Sequence, residues 1–108
     1  MGMGGFGNPQ KMMKQVQKMQ ADMARLQEEL GDMTVEVTAG GGAVRCVMTC
    51  KQEVKELEID PDLLDPQELE MLQDLLIVAF NEASLKSQEK AASEMGKITG
   101  GMKIPGLF

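Results

Sequence analysis

Four cations, Lys11, Lys14, Lys18 and Arg25, fall within the stretch GNPQKMMKQVQKMQADMARLQEEL, residues 7–30. On a helix turning about 100° per residue they share roughly 60° of arc. A row of ammonium and guanidinium groups on one face has the chemistry to neutralise a polyanion, displacing a counterion from each phosphate it meets. Local stability does not ask for such a row. Lys14 and Lys18 are a like-charge pair four residues apart. Lys11 and Lys14 also lie near the positive end of the helix dipole, where cations are disfavoured. Arg25 has Asp22, Glu28 and Glu29 three or four residues away, and Lys18 is in range of Asp22, but Lys11 and Lys14 have only glutamines and each other. A weaker echo comes in Lys86, Lys90 and Lys97, within about 40° on a helix. There Glu82, Glu89 and Glu94 are close enough in sequence to pair with them. The residues alone leave two readings open: a polyanion binder, or an interaction module with a solvated charged face.

Chemistry of other kinds finds little to work with. There is no His among the 108 residues, which removes the commonest general base and a common zinc ligand. Cys46 and Cys50 are not a CxxC pair, and as strand residues they would stand about 13 Å apart, too far for a disulfide. Both read as ordinary reduced strand residues. Gly40-Gly41-Gly42 lacks the spacing of a nucleotide loop and reads as a hairpin turn. Asp60, Asp62 and Asp65 lack the glycine and distant glutamate of a calcium loop. The chain therefore reads as a non-enzyme with no cofactor, no metal and no small-molecule substrate. No run of 18 apolar residues exists, so no membrane partner is expected.

Net charge is −6, which by itself speaks against a polyanion partner. Its distribution is uneven: residues 1–27 hold four cations and one acid, while residues 53–74 hold nine acids and one lysine. Segregation of this kind is what partner surfaces look like.

The elements that must carry these residues are read from periodicity. Asn8-Pro9 is a helix start, and the helix should run to about Leu30 with Gly31 as a left-handed stop. Its apolar positions, Met12, Val16, Met19, Met23, Leu26 and Leu30, step by 4, 3, 4, 3, 4, a narrow seam suited to a partner helix rather than a sheet. Residues 33–39, 43–50 and 54–59 read as three strands of an antiparallel meander. Val35, Val37 and Ala39 share one face of the first, and Val44, Cys46, Met48 and Cys50 one face of the second. Asp65-Pro66-Gln67-Glu68 has capping-box spacing at the start of a second helix. That helix carries Leu69, Leu72, Leu75, Leu76, Ala79, Phe80 and Ala83 on a face broad enough for a sheet, and continues to about Met95. The class is α+β in a single domain, residues 1–108, with 1–7 and 96–108 as flexible tails.

The order helix, three strands, helix, together with GGGAVR, EVKELEIDPDLL, EMLQDLLIVAFNEA and the Gly/Met-rich start before KMMKQVQKMQ, resembles the YbaB/EbfC family of bacterial nucleoid-associated proteins. The resemblance covers nearly the whole chain. It implies a homodimer whose helices project from a joined sheet core. It implies low-specificity binding of double-stranded DNA in the cytoplasmic nucleoid, with a role in nucleoid organisation or gene regulation. The first and last helices are the family's DNA-contacting elements, which maps onto Lys11, Lys14, Lys18 and Arg25, and onto Lys86, Lys90 and Lys97. The other open reading is a protein-binding adaptor or assembly factor using the Met-rich seam or the acidic segment 53–74. Where the family often has Asn-Gly in the second hairpin, this chain has Thr49-Cys50, so that turn should take another form.

Overall fold

The computed structural model describes residues 9–100. Helix α1 spans Pro9–Glu29, strands β1, β2 and β3 span Thr34–Ala39, Val44–Thr49 and Val54–Ile59, and helix α2 spans Leu69–Thr99. The strands form one antiparallel sheet in the order β1-β2-β3. This is the α+β arrangement expected from the sequence.

The alternation of β1 and β2 turns one set of side chains towards α2. Val37, Ala39, Val44, Cys46 and Met48 pack there against Leu72, Ala79 and Ala83, with Leu75, Leu76 and Phe80 at the margin. Ala79 and Ala83 are fully buried, and their small size lets the helix lie close to the strands. α2 lies over β1 and β2. β3 is left exposed along nearly its whole length.

The first hairpin turns on Gly40, Gly41 and Gly42, all at positive φ (64°, 68° and 97°), a run that only glycine adopts without strain. Gly40 has a second reason to lack a side chain. A Cβ there would come within 2.8 Å of Leu75 Cδ1. The second hairpin departs from Asn-Gly as expected. Its left-handed residue is Gln52 (φ 65°), and Thr49 Oγ1 accepts from the N–H groups of Lys51 and Glu53 at 3.3 and 3.2 Å.

Several boundaries differ from those read off the sequence. Gly31 is not left-handed. α1 ends at Glu29, and its last carbonyls are met by the tightening turn, with Asp32 and Met33 N–H both donating to Glu29 O. Asn8 lies outside the described residues, so its role as a cap does too. Asp65 Oδ1 accepts from Gln67 N–H at 2.9 Å rather than closing a box with Glu68. The segment Pro66–Glu68 is a 3₁₀ turn, and α2 starts only at Leu69, which is consequently exposed rather than buried. The other end of α2 runs past Met95 to Thr99, where Gly100 at φ 61° stops it. Residues 96–99 are thus helix, not tail, because Ile98 packs on the end of α1. Residues 1–7 and 101–108, the remainder of the expected tails, lie outside the described residues.

Candidate nucleic-acid interface

The position of the lysine row depends on how α1 meets α2. Leu26 and Leu30 are buried and pack with Cys50, Met33, Ala91, Met95 and Ile98. Asp22, Arg25, Leu26 and Glu29 share a hollow of about 250 Å³ with Glu94, Lys97 and Ile98. The helices are therefore antiparallel, with the end of α1 against the last turns of α2. The helix that covers the lower seam is the chain's own α2. Cys50, read as a fourth member of the sheet face, sits just beyond β2 and belongs to this second cluster instead.

The rest of α1 projects. Residues 9–18 are exposed throughout. Met12 and Val16 are exposed, while Met19 and Met23 are half-buried. Lys11, Lys14, Lys18 and Arg25 stand on the other side of the helix from this seam, in solvent. Arg25 pairs with Asp22, three residues away. That pairing takes the acid that Lys18 could have used. Among the described residues Lys11, Lys14 and Lys18 have no ion pair, and α1 has no acid in its first turn.

The lysines of α2 are placed differently. β1 is a free edge of the sheet. Cys50 N–H donates to Met33 O at 2.9 Å, so the backbone groups of Met33 face β2 and those of Thr34 and Glu36 face outward. Lys90 Nζ donates to Thr34 O at 2.9 Å, and Lys86 Nζ reaches Glu36 O at 3.5 Å. Both ammonium groups cap carbonyls that the sheet leaves unpaired, an arrangement that blunts an exposed edge. Neither takes a glutamate partner. Lys97 does, with Glu94 Oε2 at 2.6 Å, beside Arg25 at the base of the projecting helix. Sequence spacing suggests glutamate partners for all three; the fold supplies one.

A cluster that the sequence did not reveal lies on the sheet face away from α2. Arg45 bonds Glu36 Oε2 at 2.7 Å and approaches Glu56 and Glu58 at 3.3 and 3.5 Å. Its hydrogen bond to Glu36, with the charges around it, holds the guanidinium above its ordinary pKa. The cluster joins all three strands and partly offsets the acids of β3. The signal was present in the register, since Arg45 pairs with Thr38 and Glu58 across the strands, but register is not readable from one strand.

The acids between residues 60 and 70 and the lysine row are far apart. The molecule measures 79 × 22 × 16 Å. Asp60, Asp62, Asp65 and Glu70 gather where α2 begins, next to the glycine turn that Leu75 touches. Counting about 1.5 Å per residue from Glu70 to Met95 and back along α1 from Leu26 to Lys11 gives a separation of roughly 60 Å. Screening is nearly complete beyond about 10 Å at 0.1 M salt. The net charge of −6 is therefore not what a phosphate near Lys11 experiences.

The helix, three-strand, helix frame that carries this lysine row has matches among known proteins. The profile of the YbaB/EbfC DNA-binding family matches residues 3–102. This chain belongs to that family. It is 60% identical over 102 residues to a nucleoid-associated protein of Pelotomaculum thermopropionicum, covering 94% of this chain and 97% of the relative. It is 63% identical to a nucleoid-associated protein of Desulforamulus reducens, with the same coverage. An uncharacterised protein of Helicobacter pylori shares the fold, with a TM-score of 0.72 at 22% identity over 87% of this chain and 99% of that one. In this member of the family no described helix is long and apolar enough to cross a membrane.

Proposed function

We propose that the chain acts as a homodimer that binds double-stranded DNA with low sequence preference, in nucleoid organisation or gene regulation. Lys11, Lys14 and Lys18 contact phosphates, with Arg25 and Lys97 at the base of the helix adding to the field. The observation that carries this reading is the row of three unpaired lysines on a helix standing clear of the rest of the fold. Contacts of this kind position a protein on the duplex without reading bases. The row contains no Asn or Arg set suited to base edges, and the chain has too few aromatics for a stacking platform. The curated relatives are called nucleoid-associated proteins, which agrees with this reading.

The exposed apolar side chains support the dimer. Beyond α1, Val54, Leu57, Leu64, Met71, Val78 and Leu85 are between 42% and 67% exposed. All belong to β3, the loop after it, or the stretch of α2 from Leu69 to Leu85. Met71, Val78 and Leu85 recur every seven residues on the outer side of that helix. Monomers seldom leave so much apolar surface in one region. Association there leaves both copies of α1 free to meet DNA.

Titration of labelled duplex with the protein at several salt concentrations tests the proposal. With six phosphates neutralised per dimer, log K should fall against log salt with a slope of about −5. No binding at low salt, or binding without a salt slope, would overturn it.

A further inference from the structure

α2 covers the lower part of the α1 seam and stops. Its last turns reach the level of Asp22, where Glu94, Lys97 and Ile98 meet Arg25 and Leu26, and Gly100 ends the helix. The seam goes on above that level with the same stepping, through Met19, Val16 and Met12. With Gln15 these residues line a groove of about 280 Å³, and no other described element lines it. Met12 and Val16 are 56% and 52% exposed. A narrow seam that steps by fours and threes is the surface that another helix covers.

We infer that this groove is covered by the same stretch of α1 from a second copy of the chain, lying antiparallel to the first. The seam is complementary to itself in that arrangement. With Met12 of one helix facing Val16 of the other, a two-fold axis relates the two apolar layers, and the Gln15 side chains come together on the flank. The arrangement also fits the end of α2. A helix antiparallel to α1 on the upper seam continues the line that α2 follows on the lower one. In this register its first residue, Pro9, is level with Met19, about 4.5 Å of helix rise short of Asp22, so it does not collide with α2. The negative C-terminal end of α2 then points at the positive N-terminal end of the incoming helix, whose first turn holds Lys11 and no acid. Lys11, Lys14 and Lys18 stand away from the seam, so pairing leaves them in solvent. The two-fold relation turns both rows towards one side of the pair, where they can meet one duplex. The contact is only about two turns long, well below the roughly 1,000 Å² of a stable interface. It is therefore a weak link between neighbouring molecules, separate from the apolar surface of β3 and α2, and it forms where they are concentrated.

Sedimentation of the protein without DNA, from about 10 μM to about 1 mM, tests this in the range where so small a contact should titrate. The unaltered chain should associate beyond the species present at the lowest concentration. The double variant Met12→Gln, Val16→Gln should weaken that step at least about tenfold and leave the smaller species intact. Salt gives the signature of the contact. The paired helices bring like-charged lysines together, so raising salt from about 50 to about 500 mM should strengthen association at least about threefold, the reverse of its effect on phosphate binding. Amide exchange across residues 13–19 should slow as protein concentration rises. An unaltered association step in the double variant, or no step up to the highest concentration, would overturn the inference. So would exchange in 13–19 that is slow and the same at every concentration, which would assign the groove to a segment of its own chain. No DNA enters these measurements, so this inference and the phosphate reading can fail separately.

Discussion

Lys14 and Lys90 are both lysines on the flank of a long helix, and their surroundings give them different work. Lys90 lies beside the edge of a sheet, and its ammonium group is held 2.9 Å from Thr34 O. Lys86 sits further along the same edge at Glu36 O. Lys14 has no such neighbour, because α1 has left the sheet behind by the time the chain is traced back to it. A lysine already bonded to a carbonyl must give up that bond to meet a phosphate, whereas one in water exchanges hydration and a condensed counterion for it. On the proposed reading, charge and helical spacing alone do not pick out the cations that bind a polyanion. What matters is whether the fold has already used them.

The comparison can be broken most directly at α1. The triple variant Lys11→Gln, Lys14→Gln, Lys18→Gln should remove most DNA affinity and flatten the salt dependence by about 5 in a dimer. In the unaltered protein that slope amounts to about a thousandfold loss of affinity between 50 and 200 mM salt. Fluorescence anisotropy at those two concentrations, with sedimentation to show the dimer intact, reads both effects. If the triple variant binds as before, the unpaired row is not the interface.

The opposite change belongs to the sheet end. Gly40→Ala forces a side chain to φ +64° and against Leu75. It should lower stability by about 1–3 kcal/mol in denaturant titration while leaving the DNA affinity of the folded fraction unaltered. A loss of affinity in the folded protein would mean the two regions are coupled rather than separate.

Lys86→Gln with Lys90→Gln sharpens the contrast. Affinity for DNA should change by less than about threefold, since only diffuse and screened charge is lost. The uncapped β1 edge should show itself as a rise in light scattering on warming. A loss of binding as large as that from the α1 variant would place these lysines on the DNA and refute their role as edge caps.

The smallest effect concerns the thiols. Burial pushes Cys46 and Cys50 up from their ordinary pKa. Both are protonated in either state below the unfolded pKa, so stability there is unaffected by their titration. Above it the unfolded chain releases protons that the folded chain retains, so stability declines as pH rises past the ordinary thiol pKa of about 8.5. Melting temperatures at pH 7, 9 and 10 should fall slightly, and less so in Cys46→Ala. Alkylation of either thiol should be slow until the protein unfolds.

Much of the fold was legible because it rests on short-range patterns. Alternation in residues 34–39 and 44–49 placed Val37, Val44 and Cys46 on the core face, and the glycine run marked its turn. The broad face of α2 from Leu72 to Ala83 pointed to the sheet. The ends of helices were less legible. Gly31 looks like a left-handed stop, but the chain has a tightening turn with Met33 N–H available to Glu29 O, and glycine's freedom goes unused. The end of α2 reads short because polar residues after Ala83 hide Ala91, Met95 and Ile98, which matter only once α1 lies against them.

By itself the sequence determined the elements, the segregation of acids from cations, and the opposition of seam and lysine row on α1. All three depend on residue type and on backbone periods that local sterics impose. Only the tertiary structure decided which cations remain available. It put Lys86 and Lys90 against the carbonyls of β1 and carried Lys11, Lys14 and Lys18 beyond the last turn of α2. It also set Asp60, Asp62, Asp65 and Glu70 roughly 60 Å from Lys11, several screening lengths away. Those facts turn on the path of the chain through space, because electrostatic interaction falls with distance through solvent and not with separation along the sequence.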